Sequence, residues 1–191
     1  MPVTLSQNAA ADALLDRDPF ALLIGMVLDQ QIPLEKAFSS PLELTKRLGH
    51  DLDARELAEF ESDALAAIFA ERPALHRFPT SMAGRVQGVA RVLVADYDGD
   101  VRNLWSDVSD GPELLARITA LPGFGEQKGA IYLALLGKQR GVRPPGWREA
   151  AGQFGQDGVY LSVADITDAE SLLRVRDHKQ QQKAAAKAAA Q

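Results

Sequence analysis

Residues 121–130 read LPGFGEQKGA, with Pro122 between Leu121 and Gly123, a second glycine at Gly125, and Lys128 inside the helix-forming run that follows. Pro122 fixes one φ and has no backbone N–H, while Gly123 and Gly125 accept left-handed or crowded backbone that other residues resist. A tight corner that opens onto a helix N-terminus turns unpaired amides and the positive end of the helix dipole the same way. That is the chemistry of an anion site, and a phosphate fits it. Lys128 adds a full charge in the first turn. A plain corner between two helices has the same residues, so the glycines alone do not separate the two readings. A dinucleotide fingerprint is excluded: Gly123, Gly125 and Gly129 are spaced one residue too long for G-x-G-x-x-G, and a helix stands where a strand is required.

Two further groups carry chemistry-bearing side chains. Asp29, Gln30 and Gln31 end the apolar run PFALLIGMVL, and Trp147, Arg148 and Glu149 follow the Gly/Pro loop GVRPPG. Adjacent helical residues point about 100° apart, so only one of the two glutamines can face a given surface while the other packs or caps. Asp29 is either a satisfied helix-end carboxylate or a pocket residue. Trp147 is either a packing anchor beside Pro144 and Pro145 or a stacking surface for a base or sugar. His50, His76 and His178 are scattered without ligand spacing, so no metal site is expected.

The elements that must position these residues are helical nearly throughout, because apolar residues recur at three and four rather than alternating. Asp18 and Pro19 cap and open the buried run ending at Asp29, and Pro33 stops or restarts it. DARELAEFESDALAAIFAE reads as one helix from an Asp53/Glu56 capping box, closed by Pro73. SMAGRVQGVARVLVADYDGD follows, with Gly99 suited to its C-terminal cap. Asp110 and Glu113 cap GPELLARITA, which runs into the glycine corner, and EQKGAIYLALLGKQR leaves it, so these two form a hairpin. VYLSVADIT reads as a short strand or an extended connection. A Thr167/Glu170 capping box starts the last helix. The expectation is an all-α chain with one compact unit over 1–178 and an Ala/Lys/Gln tail over 179–191 that has no apolar face.

The chain of 191 residues has no cysteine, which excludes disulfides and cysteine-ligated zinc or iron–sulfur clusters. No basic leader precedes an apolar run, and no stretch approaches membrane-spanning length, so a soluble cytoplasmic monomer is expected, nucleoid-associated in a bacterial cell. The net charge of −5 argues mildly against a nucleic-acid partner. It is unevenly spread, however. Residues 51–71 carry seven acids and one base, whereas 126–148 carry five bases and one acid. The basic segment is the one that leaves the corner.

LPGFGEQKGAIYLALLGK, preceded by a capped helix and followed by a Gly/Pro loop, resembles the helix-hairpin-helix region of the HhH-GPD superfamily of base-excision DNA glycosylases. ALLIGMVLDQQIPLEKA is similar to that superfamily's early core helix with its DNA-facing glutamine segment, and MAGRVQGVARVLVADYDGDVRNLW to the helix and turn before its hairpin. The likeness covers about Asp18 to Gly152. It implies a two-lobed helical glycosylase-like fold with a cleft between the lobes, double-stranded and lesion-bearing DNA as partner, and hydrolysis of the N-glycosidic bond of a damaged base. By position it assigns backbone amides of Gly123 and Gly125 to phosphate, with Lys128 and Arg148 as supplementary contacts. Gln30 or Gln31 fills the gap left by an extruded base, and Asp29 and Trp147 line the base pocket. It also implies a monovalent cation at the hairpin carbonyls.

Two departures bear on activity. The loop after the hairpin, where the superfamily places a catalytic aspartate, reads Gly141 to Trp147 with no acid; Glu149 is the nearest replacement, with Asp157 and Asp165 later. The position of the lyase lysine is Gln127, with Lys128 one step round the helix, so a monofunctional enzyme is expected if the chain is catalytic. The alternatives are a noncatalytic DNA-damage sensor and a protein-interaction domain that uses the acidic face of 51–71.

Overall fold

Capping side chains set most of the element starts. In the computed structural model, which describes residues 3–189, Asn8 accepts from the Ala10 and Ala11 amides and starts α1 (Ala9–Arg17). Asp18 accepts from Phe20 N–H ahead of Pro19 and starts α2 (Pro19–Leu28), in which every residue after the proline is buried. Pro33 precedes α3 (Leu34–Leu48), a helix that holds Pro41 in its interior.

The run from 53 to 71 is two helices rather than one. Asp53 caps α4 (Ala54–Glu59), the chain turns extended at Phe60, and the Glu61 carboxylate accepts from Asp63 and Ala64 N–H to start α5 (Ser62–Ala70). The cost of breaking the helix is offset by this second cap. Pro79 opens α6 (Pro79–Tyr97), which ends through left-handed Asp98 and Gly99.

Asp110 accepts from Glu113 N–H and starts α7 (Gly111–Thr119), and the corner leads into α8 (Glu126–Gln139). After α9 (Trp147–Ala150), the segment around 159–167 forms no strand: a Ser162/Asp165 capping box winds Val163–Asp165 into a 3-10 turn. Asp168, rather than Thr167, then accepts from Ser171 N–H at the start of α10 (Ala169–Ala189).

The fold class is all-α, with no strand among the described residues. α6 packs on α4 and α5, α2 on α1 and α3, and α7 on α8, around one continuous apolar core. α10 is anchored through Leu172 and Val175, and from Gln180 to Ala188 its side chains are exposed. Among the described residues no helix is long and apolar enough to cross a membrane.

Candidate functional site

The end of α2, the start of α3, the first turns of α8 and one face of α10 surround a cleft of about 1180 Å³. Its wall includes Asp29, Gln30, Gln31, Gly125 and Lys128, so the turn after α2 and the glycine corner, about a hundred residues apart in the chain, meet at one site. Five cations line it, Arg77, Lys128, Arg176, Lys179 and Lys183, against three carboxylates, Asp29, Glu35 and Glu126. The chain as a whole has the opposite sign.

At the corner, Gly123 is left-handed with φ +84, and a side chain there would come within 3.4 Å of the Arg85 side chain. Phe124 N–H donates back to the Leu121 carbonyl, and the buried Phe124 ring pins the corner to the core. Gly125 differs. Its φ is −84, a side chain there would meet nothing within 4 Å, and no side chain caps the helix it starts. Neither conformation nor packing demands a glycine at 125. What the missing side chain does is leave exposed amides open at the positive end of α8, with no partner for Gly123 or Gly125 N–H among the described residues. The Pro122 and Gly123 carbonyls likewise accept no backbone N–H there. Two hard oxygen donors suit a monovalent cation, with water or phosphate oxygens needed to complete its shell.

Lys128 turns inward from α8. Its Nζ donates to the Val27 carbonyl at 3.1 Å and lies 5.8 Å from the centre of the Phe124 ring. Desolvation lowers its pKa to about 8, with Arg85 adding to the shift and Asp29 opposing it. Just beyond the Val27 carbonyl, burial raises the Asp29 carboxyl above its ordinary value, with Lys179 and Lys128 pulling it back toward ionisation.

The two glutamines separate cleanly. Both lie beyond the end of α2 in a turn, and Gln30 is tied down: its Nε2 donates to the Val27 carbonyl at 2.9 Å and its Oε1 accepts from Arg85 at 2.9 Å. Buried His76 holds the same turn. Its Nδ1 accepts from Phe78 N–H at 3.0 Å, which leaves Nε2–H to donate to the Gln30 carbonyl at 2.9 Å. Desolvation lowers the His76 pKa and keeps the ring neutral, the form that tautomer needs. Gln31 is exposed with φ +56, a left-handed backbone uncommon for a non-glycine residue, so the turn presents this side chain to the cleft at a cost in strain of about 1–2 kcal/mol.

The residues after the loop lie elsewhere. Trp147 is buried on α8, where a side chain at Gly137 would come within 2.4 Å of the indole ring. Arg148 stacks on that indole, pairs with Asp157 at 2.8 Å and donates to the Gly155 carbonyl at 2.7 Å. Glu149 is exposed and does not line the cleft. The loop between α8 and α9 is tied to both hairpin helices: Gly111 N–H of α7 donates to the Pro145 carbonyl at 2.7 Å, and Arg143 to the Gly137 carbonyl of α8 at 2.8 Å.

Sequence reasoning missed Arg85 and His76, which fix Gln30, and Arg77, Arg176, Lys179 and Lys183, which line the cleft. The four-residue step from Lys179 to Lys183 to Lys187 is the signal that places these lysines on one helix face. Among the described residues no three His, Asp or Glu side chains gather as a metal site. The chain matches no family model, no curated protein and no solved structure.

Proposed function

We propose that this chain binds double-stranded DNA through the glycine corner and the cationic cleft, and that it is a base-excision-type protein, a monofunctional DNA glycosylase taking a damaged nucleotide into that cleft. The observation that carries this reading is Gly125, a glycine with no conformational or packing reason to be one, whose effect is to hold an uncapped helix N-terminus open beside a surplus of cations. The likeness of the hairpin and glutamine segments to the HhH-GPD superfamily supports it, as does Gln31, exposed on a strained turn where a side chain can enter the space of an extruded base.

A noncatalytic DNA-damage sensor is the second reading. It is favoured by the position of Glu149 away from the cleft and by the acid-free loop before it. Duplex binding tests what the two share. Affinity should fall steeply as salt rises, with a log–log slope of about −0.9 per phosphate neutralised. Gly125→Asp should weaken binding by roughly tenfold or more, about 1.4 kcal/mol, while stabilising the fold by a few tenths of a kcal/mol through the new cap. Salt-independent binding, or a Gly125→Asp protein that binds as wild type does, would remove the DNA reading.

A further inference from the structure

Asp29 is out of place for a structural residue. The other aspartates at helix ends cap, pair or stand exposed: Asp18, Asp53 and Asp110 accept helix amides, Asp12 accepts Leu5 and Ser6 N–H, Asp165 holds Lys138, and Asp63 and Asp96 are exposed. Asp29 instead follows the last residue of α2, at the negative end of that helix's dipole, where a carboxylate is repelled. Among the described residues its side chain makes no hydrogen bond and no ion pair within 4 Å, although it lies in a partly buried position on the cleft wall. Partial desolvation without a partner disfavours the carboxylate, and no described side chain pairs with it to offset that cost.

Its surroundings suit one task. The uncapped corner lines the same cleft, Lys128 reaches from α8 to the Val27 carbonyl beside Asp29, and Gln31 is two residues away. A nucleotide turned into this cleft brings its sugar between the corner and Asp29. Resting on the base-excision reading above, we infer that Asp29 is the catalytic carboxylate of this cleft, facing C1′ of the extruded nucleotide, in the role the loop after the hairpin leaves unfilled. As the C1′–N bond breaks, its electron pair leaves with the base, and the Asp29 carboxylate stabilises the positive charge that develops on the sugar. Water adds to C1′ and gives its proton to Asp29, which returns it to solvent, while the departing base takes a proton from solvent. Desolvation strengthens the carboxylate's pull on a cationic sugar, and Lys179 and Lys128 offset part of the rise that burial gives its pKa.

The test does not require the lesion to be known. A duplex bearing a pyrrolidine abasic analogue carries a cation where the sugar's charge develops, and a tetrahydrofuran duplex has the same shape without the charge. Wild-type protein should bind the pyrrolidine duplex roughly tenfold or more tighter than the tetrahydrofuran duplex. In Asp29→Asn the ratio of pyrrolidine to tetrahydrofuran affinity should fall toward one, and Asp29→Glu should recover part of it. Equal binding of both duplexes by wild type, or an undiminished preference in Asp29→Asn, overturns the assignment while leaving DNA binding intact. Failure to bind either duplex at low salt overturns the DNA reading itself. Borohydride trapping of a covalent DNA adduct through Lys128 would overturn the assignment too, because amine attack would have replaced water.

Discussion

Helix α8 carries a lysine near each end, and the fold treats them in opposite ways. In the last turn Lys138 donates to Asp165 at 2.5 Å and to the Gln156 carbonyl at 2.6 Å, while the second Asp165 oxygen accepts from Leu161 and Ser162 N–H. The side chains are only 12% and 3% exposed, and a cation at a helix C-terminus agrees with the dipole. In the first turn Lys128 opposes the dipole, has one carbonyl for company, and faces an Asp29 with which it makes no ion pair within 4 Å. Asp29 opposes the dipole of its own helix as well. The first pair is closed and serves the fold; the second is left open on the wall of the cleft, which is where an unsatisfied group can serve a ligand.

The contrast can be broken most forcefully at Lys138. Lys138→Met strands a buried carboxylate and should cost about 3–5 kcal/mol of stability. Lys128→Met should cost far less, and urea unfolding of both proteins reads the difference; equal losses would erase the contrast. A smaller effect, of opposite sign, is expected at Asp29. Asp29→Asn should stabilise the protein at pH 7 by about 0.3–1 kcal/mol, since an unpaired charge at a helix C-terminus disappears.

The pH dependence of that gain follows from the raised carboxyl. Folded wild type binds the proton more tightly than the unfolded chain does, so it loses stability as pH rises from the ordinary aspartate value of 3.8 through the raised folded value. The advantage of Asp29→Asn should therefore be present at pH 7 and vanish below that window, as paired urea melts would show. Arg148→Gln and Glu149→Gln should change least. Duplex affinity should stay within about 0.5 kcal/mol of wild type in filter-binding or anisotropy measurements, since both residues lie off the cleft wall.

Where local chemistry decides structure, the sequence was readable. Asp18 with Pro19 and Asp110 with Glu113 announce α2 and α7, and the Pro122 corner announces the hairpin, because caps and turns act within a few residues. α3 was not readable, since Pro41 in its interior argues for a break that burial overrides. The split of α4 from α5 was hidden by an apolar stripe that runs across Phe60 unbroken. At the site, the glycine corner and the DQQ segment could be picked out, but their partners could not. Gln30 and Gln31 were read on helical geometry, and both lie in a turn whose shape depends on His76 and Arg85, more than forty residues away. The α10 lysines were read as tail because an Ala/Lys/Gln helix has no apolar face to say which side it presents.

The loop between α8 and α9 bears on any attempt to retrofit this scaffold. Grafting an aspartate at position 146 would place it on backbone with φ +72, next to an indole wedged over Gly137 and a peptide already bonded to α7. The transplanted acid would start beside Pro112 of α7, on a segment bonded to α7 and α8. Anyone redesigning the chemistry of this molecule would do better to vary residues 29–33 and leave that knot tied.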